Sequence, residues 1–431
     1  MNLKRRVLNK QILYIIFVIS LLPVLYLFFD NNSVKSFWYK IANITGYLGG
    51  VILFWQFFLG IRGVVKRFTS DYDWSIKIHT FLGVFGALFV FAHPILESMI
   101  YLRDLRFIFG INFSSSFETQ ISYGRIAFIL FLVVWFTSSL LRKKYSYRTW
   151  LYVHYLSYPL FFFTLIHPFT IGSYLQNNPV IYYYWVLLCA LSAVFVFIKL
   201  LDVFNISFSK YKLIEVNQFD GGVYTLKYIP LGKKIIPNPG EYFYIKNNYF
   251  GEAHPFSILE FNEDTGELIF GIKDLGRYTH ELSLSKSGEI HYLDGSFGEF
   301  TFEGFNDDPK VILAGGIGVT PFYELITRYG TEDTYMFYAN SKLSTALYRD
   351  KFKKLLGSRY FDFISNEKVG GKNVICSLIT TSHLKDILPK DMSNSYKFFV
   401  CGSPIFMNSI INCLKEIGVE RSQIFIEEFE Y

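Results

Sequence analysis

Six apolar stretches crowd the first half of this 431-residue chain, at about 12–29, 41–61, 75–100, 124–141, 150–171 and 180–200. Each approaches the roughly 20 residues that carry a helix across a bilayer, whereas the second half reads as soluble. They explain why 51% of the residues are apolar and 20% aromatic, more than an ordinary soluble enzyme holds. Lys4, Arg5 and Arg6 precede the first stretch, an arrangement shared by cleaved export signals and by first membrane helices. The run ends in Leu27-Phe28-Phe29-Asp30 without a small-residue cleavage site, so a retained helix is expected.

Short loops rich in lysine and arginine stay on the cytoplasmic side. Lys4, Arg5, Arg6 and Lys10 lie before the first stretch, Arg62, Lys66 and Arg67 between the second and third, and Arg142, Lys143, Lys144 and Arg148 between the fourth and fifth. The opposite loops hold Lys35, Lys40, Arg103 and Arg106, and the loop between the fifth and sixth holds none. A multi-pass protein of the cell membrane with both termini and the soluble half in the cytoplasm is therefore expected. This bias and general lysine richness account for the net charge of +6, so no nucleic-acid partner is called for. Cys189, Cys376, Cys401 and Cys413 form no CxxC pair, which points to neither a disulfide frame nor a zinc site.

Of eight histidines, four lie in the apolar half, all on the third and fifth stretches: His79 and His93, then His154 and His167. An ionisable group in lipid is costly and is a functional candidate for that reason. The intervals of 14 residues (79 to 93) and 13 residues (154 to 167) separate each pair by roughly 20 Å along a helix. Both helices run outward from the cytoplasm, so His79 pairs in depth with His154 and His93 with His167. Neutral imidazole ligates haem iron, and an iron with two protein ligands passes electrons instead of binding substrate. Two stacked bis-histidine b-type haems are the expectation, with structural histidines bonded across helices as the alternative. At about 100° per residue, 14 residues return close to one face, whereas 13 fall roughly 140° short of four turns. Pro159 stands where a bend or overwinding of the fifth helix would correct this. Arg125 and Arg148 are at suitable depths for haem propionates, or simply mark helix ends.

From about residue 205 the pattern changes to short alternating segments such as Tyr211-Lys212-Leu213-Ile214-Glu215-Val216 and Val223-Tyr224-Thr225-Leu226-Lys227-Tyr228, separated by turn signals including Asp220-Gly221-Gly222 and Pro237-Asn238-Pro239-Gly240. These predict an antiparallel barrel of about 100 residues. Beyond Pro309 the order strand, glycine loop, helix, strand predicts an α/β nucleotide-binding domain. Its first strand and turn read Val311-Ile312-Leu313-Ala314-Gly315-Gly316-Ile317-Gly318-Val319-Thr320-Pro321-Phe322. Such a turn lets backbone approach a diphosphate at a helix start, or serves as a tight connection. A second strand, Lys397-Phe398-Phe399-Val400, runs into Cys401-Gly402-Ser403-Pro404 and makes the case for a cofactor crevice. The expected organisation is an α-helical transmembrane bundle of six helices over 1–203, an antiparallel β-barrel over 204–307 and an α/β domain over 308–431.

The soluble half resembles the ferredoxin-NADP reductase family, and the whole arrangement resembles the NADPH oxidase and ferric reductase superfamily, especially the short bacterial NADPH oxidases. The likeness covers nearly the whole chain. Its His-Pro-Phe-Ser segment, His254, Pro255, Phe256 and Ser257, implies an FAD site on the barrel. Lys273-Asp274-Leu275-Gly276-Arg277-Tyr278-Thr279 implies that Gly276 and Thr279 contact the FAD diphosphate, and Gly240-Glu241-Tyr242 and Asp294-Gly295-Ser296-Phe297-Gly298 are similar to barrel turns of the same reductases. The resemblance further implies that Gly315, Gly316, Gly318, Thr320 and Pro321 hold the nicotinamide nucleotide, with Cys401 and Gly402 near the nicotinamide. An aromatic near the chain end covers the flavin in the family. Phe429 is assigned here, with Tyr431 as the alternative, and with Cys401 it makes up the expected catalytic pair.

Asn340-Ser341-Lys342 and Arg349 follow the second strand and could accommodate a 2′-phosphate, so NADPH is expected, with NADH also open. Electrons would pass from NADPH through FAD and both haems to an external acceptor: dioxygen, giving superoxide, a ferric chelate, or a protein partner, which the fused reductase does not require. The outer loops show no cluster of histidine, cysteine or acids to favour the chelate. No EF-hand pattern is present, so calcium control is not expected.

Overall fold

The computed structural model describes residues 3–29, 36–101, 106–302, 305, 307–330, 332–389 and 395–428, in two compact units, Met1–Leu201 and Asp202–Tyr431.

The first unit is helical. Among the described residues, five helices are long and apolar enough to cross a membrane: Leu8–Tyr26, Phe37–Gly60, Tyr72–Ile100, Ser116–Leu140 and Pro179–Val203. We label them by their regular segments: α1 (Leu3–Tyr26), α2 (Phe37–Gly60), α3 (Tyr72–Phe85) and α4 (Ala87–Ile100) in line across Gly86, and α5 (Ser116–Trp135), which widens into a π turn over Phe136–Leu140. The fifth apolar stretch is divided into α6 (Tyr147–His154), α7 (Ser157–Ile166) and α8 (Pro168–Ile171), and α9 (Pro179–Val203) follows. Pro159 explains the first break. It has no N–H for the Tyr155 carbonyl, and its ring crowds that oxygen. The chain tightens in response: Leu156 N–H donates to Val153 O (3.0 Å) and Tyr158 N–H to Tyr155 O (3.1 Å), the spacing of a 3₁₀ turn, which winds faster than an α-helix. Tightening here turns the chain in the direction that the 13-residue histidine interval calls for, by about 20° extra per residue, which is a part of the roughly 140°.

Helix α2 is the most enclosed of the membrane helices. Tyr47, Val51, Phe54, Trp55 and Phe58 bury into one core with Leu160, Phe161, Trp185 and Phe195 from α7 and α9. Trp185 also donates its indole N–H to Leu165 O (2.9 Å).

The second unit opens with a closed antiparallel barrel in the order β1-β2-β5-β4-β3-β6: β1 (Ser209–Phe219), β2 (Val223–Pro230), β3 (Tyr242–Lys246), β4 (His254–Phe261), β5 (Leu268–Lys273) and β6 (Ile290–Phe297). Gly221 and Gly222, at φ of 68° and 71°, make the β1–β2 turn, where a side chain would be strained. Alternation fills the interior with Leu226, Tyr228, Phe243, Ile245, Ile258, Leu268 and Phe270. A short helix, α10 (Arg277–Ser283), lies between β5 and β6.

A parallel sheet follows in the order β10-β9-β8-β7-β11-β12: β7 (Lys310–Gly315), β8 (Thr334–Asn340), β9 (Tyr360–Ile364), β10 (Val374–Ile375), β11 (Lys397–Gly402) and β12 (Ile424–Glu428). Its helices include α11 (Phe322–Tyr329), α12 (Arg349–Leu356), α13 (Thr381–Ile387) and α14 (Pro404–Glu416). β7 and β11 are parallel neighbours from which the strand order runs outward in opposite directions, β8 to β10 on one side and β12 on the other, and this switch opens a crevice at their carboxyl ends.

Barrel and sheet share an interface. Phe300 and Phe302 pack on Phe399, at 5.7 and 4.3 Å between centroids. Phe261 N–H donates to Glu324 Oε1 (3.1 Å), Arg328 bridges Glu263 (2.6 Å), and Glu260 accepts from Tyr348 (3.0 Å) and Lys351 (2.7 Å). Burial raises the Glu324 carboxyl above the usual range, while the Phe261 N–H and Arg328 oppose that shift.

Phe270 is fully enclosed, with Tyr228 and Phe243 edge-on at 5.9 and 5.7 Å. Phe270→Ala leaves a cavity in the barrel and is expected to cost about 3–5 kcal/mol. The check is thermal unfolding of the solubilised protein, with the barrel transition lowered on the order of 10 °C.

Candidate functional site

All four membrane histidines are anchored through the same ring nitrogen. His79 Nδ1 lies 2.9 Å from Gln56 O, His93 Nδ1 2.9 Å from Ala42 O, and His167 Nδ1 3.2 Å from Phe163 O. A carbonyl only accepts, so in these three Nδ1 carries the proton and Nε2 keeps its lone pair. His154 Nδ1 meets Ser138 Oγ at 3.1 Å; Ser138 sits in the π turn and also accepts from Trp150 Nε1 (3.1 Å). Trp150 stacks on His154 at 4.9 Å, and Arg142 lies 4.5 Å over the indole.

The structure brings His79 and His154 together at 6.1 Å between ring centroids. Glycines face three of the rings. A Cβ on Gly46 would come 2.8 Å from His93, one on Gly60 3.4 Å from His79, and one on Gly124 3.3 Å from His167. On α2 the pattern is a repeat. Carbonyl acceptor for the ring and glycine stand four residues apart, Ala42 with Gly46 and Gln56 with Gly60, and the two sets are 14 residues apart (42 to 56, 46 to 60), as His79 and His93 are. Sequence reasoning missed this cradle, although the equal spacing was visible. His93 and His167 are also each followed by proline, Pro94 and Pro168. Arg125 is taken up by the carbonyls of Phe107 and Gly110 and by Glu118 (3.6 Å), and Arg148 by Tyr152 (3.2 Å).

On the barrel, His254, Pro255, Phe256 and Ser257 form the start of β4, paired with β3 through Ile245, Tyr244, Phe243 and Tyr242. Tyr278 stacks on His254 at 3.9 Å and 24° and lies nearly parallel to Phe256 at 6.2 Å. Its hydroxyl is fixed by Ile245 O (2.5 Å), and burial pushes that phenol far above its ordinary pKa. Burial also lowers the His254 pKa, partly offset by Glu252 at 3.8 Å, so the imidazole is mainly neutral at pH 7. Thr279 Oγ1 accepts from the Leu275 and Gly276 N–H groups (3.0 and 3.1 Å) and so shapes the turn before α10.

In the sheet crevice, Gly315 ends β7, Gly316 takes φ 56°, and Thr320 is buried with its hydroxyl on Ile317 O (3.1 Å), just before Pro321 opens α11. A Cβ on Gly318 would lie 2.6 Å from the backbone of Cys401 and Gly402. The two turns therefore touch backbone to backbone. The Phe406 ring closes over both strand ends, 2.8 Å from a Cβ on Gly315 and 2.5 Å from one on Gly402. Cys401 is fully buried, and burial beside Glu427 holds its thiol protonated. β12 is paired as far as Glu428 with Gly402; Phe429 and Tyr431 lie outside the described residues.

A family model for the ferric reductase like transmembrane component matches residues 45–165, and one for the oxidoreductase NAD-binding domain matches residues 312–411. The chain is similar to a subunit of the Na(+)-translocating NADH-quinone reductase of Idiomarina loihiensis, at 24% identity over 199 residues, covering 40% of this chain and 48% of that one. Against the same subunit from Methylococcus capsulatus the figures are 26% over 159 residues, 33% and 38%. This chain thus spans less than half the length of the curated relatives it matches. Among solved structures, the FAD/NAD-binding domain of nitric oxide dioxygenase from Vibrio cholerae aligns at 19% identity and TM-score 0.45, covering 51% of this chain and 97% of that one.

The Gly318 contact yields a direct test of the crevice. Gly318→Ala forces the two turns apart and is expected to slow flavin reduction by nicotinamide nucleotide by about tenfold or more, with bound FAD unchanged. Stopped-flow bleaching of the flavin absorbance, beside an FAD stoichiometry, measures both.

Proposed function

The chain belongs to the ferric reductase and NADPH oxidase superfamily, and from that premise we propose that it carries electrons from a cytosolic nicotinamide nucleotide, through FAD and two b-type haems, to dioxygen outside the cell, releasing superoxide. The observation that carries this reading is the arrangement of the four imidazoles. Three present Nε2 as a free lone pair while a backbone carbonyl holds Nδ1, the donor state that a ligating histidine needs. His79 and His154 stand at 6.1 Å between ring centroids, a separation at which both imidazoles could hold one haem iron.

When bound, these groups divide the chemistry: nicotinamide supplies a hydride, flavin parts with its two electrons singly, and bis-histidine haem relays one electron at a time with no iron position open to substrate. The chain's residues position them. Ala42, Gly46, Gln56 and Gly60 orient His93 and His79; Ser138 and Trp150 orient His154. Neutral His254, held against Tyr278, lines the flavin side of β4. The Gly318 contact with Cys401 and Gly402 sets the crevice floor, where the protonated Cys401 thiol adds no charge near the hydride path. The lysines and arginines between the helices support cytoplasmic placement of the reductase unit.

The test is oxidation of nicotinamide nucleotide by the purified, FAD- and haem-loaded protein, with cytochrome c reduction followed with and without superoxide dismutase. Loss of the signal with dismutase is expected; a dismutase-insensitive signal would assign the electrons to direct delivery, to a ferric chelate or a protein partner. His93→Leu and His167→Leu should each remove one of the two b-type spectra and stop external reduction while flavin bleaching persists. Both haems and full activity in both variants would reject the ligand assignment.

A further inference from the structure

We infer that the nucleotide crevice selects NADH over NADPH through the carboxylate of Glu367, an inference that rests on the reductase reading above. In a doubly wound sheet the adenosine ribose falls beyond the end of the second strand, where an acid accepts from a 2′-hydroxyl and a cation accommodates a 2′-phosphate. Here that strand is β8, and two loops meet at its end. Ser365 N–H donates to Asn340 O (3.1 Å) and Asn366 N–H to Ser341 O (2.9 Å), which ties the loop after β9 to the loop after β8.

This tie delivers Glu367 to the ribose end. Its Oε2 accepts the Leu343 N–H at 3.0 Å. The backbone donor that a 2′-phosphate would use is already occupied by a carboxylate, and a phosphate approaching it meets like charge. A ribose hydroxyl meets an acceptor instead.

Arg349, the strongest candidate cation by sequence, faces elsewhere. Its Nε donates to Asp362 Oδ2 (2.9 Å), its Nη1 lies 3.4 Å from Asp350, and buried Asp362 also accepts from Tyr360 (2.7 Å). Asp362 thus holds the guanidinium against the body of the sheet, because freeing Arg349 would leave a buried carboxylate without its counter-charge. Lys342 is the remaining cation of the set, exposed on the same loop as Leu343. Removing the Glu367 charge leaves Lys342 and the Leu343 N–H to a phosphate.

The experiment is anaerobic flavin bleaching of the full-length FAD-loaded protein by NADH and by NADPH, for wild type, E367Q and E367Q/K342A. The wild type is expected to favour NADH by about tenfold or more in kcat/KM. E367Q should raise kcat/KM for NADPH by about tenfold, chiefly through KM, and lower it for NADH, because the charged acceptor of the 2′-hydroxyl is lost, and K342A should cancel the NADPH gain. Equal use of both nucleotides or a preference for NADPH in the wild type, or an unchanged ratio in E367Q, overturns the selectivity while leaving the reductase reading standing. Bleaching by neither nucleotide overturns both.

Discussion

The membrane unit depends on hydrogen bonds between imidazole rings and backbone carbonyls of α2. A histidine in lipid is costly when charged and poorly placed when free to rotate. Donating Nδ1–H to Gln56 O and Ala42 O solves both difficulties for His79 and His93, because the tautomer and the ring plane are fixed together. The glycine four residues further along α2, Gly60 or Gly46, lets the helices approach closely enough for those bonds. Helix α2 is consequently the most enclosed membrane helix, and its aromatic residues supply the core against which α7 and α9 pack.

The second unit relies on a different constraint, close approach of backbone. Gly318 rests on the Cys401–Gly402 peptide, so the two strand-end turns behave as one surface. The aromatic interface of Phe300, Phe302 and Phe399 and the carboxylates Glu260, Glu263 and Glu324 tie the barrel to α11 and α12. A hydride acceptor on the barrel and a hydride donor in the crevice can meet reproducibly only if that tie holds, since transfer efficiency falls with small misplacement.

Much of this was legible in the sequence where the signal is composition or period. The apolar stretches, the alternating strands of the barrel and the glycine turns at Gly315–Gly318 and Cys401–Gly402 stand where the residues place them. The division of the fifth stretch at Tyr155–Leu156 was only half visible: Pro159 announces a disturbance, but its form, a tightened turn, is settled by packing. The partners of the histidines were harder to read because a carbonyl acceptor carries no residue identity, and Gly46 and Gly60 look like filler in an apolar helix. The partner of Arg349 was hidden for a related reason. Its charge is plain in the sequence, and the buried Asp362 that pairs with it lies 13 residues away on β9.

The repeat on α2 makes depth and orientation inseparable. Fourteen residues of helix advance about 21 Å and come back to nearly the same face, so one helix can present the same carbonyl and glycine to two histidines that share one neighbouring face. The fifth stretch has an interval one residue shorter, and its helix tightens near Pro159. A single residue inserted between Gly46 and Gly60 would turn one cradle about 100° away from its histidine while leaving the apolar character of α2 intact. The spacing of this helix is thus constrained far more tightly than its hydrophobicity, since a membrane span tolerates an extra residue and the register of two imidazole anchors does not.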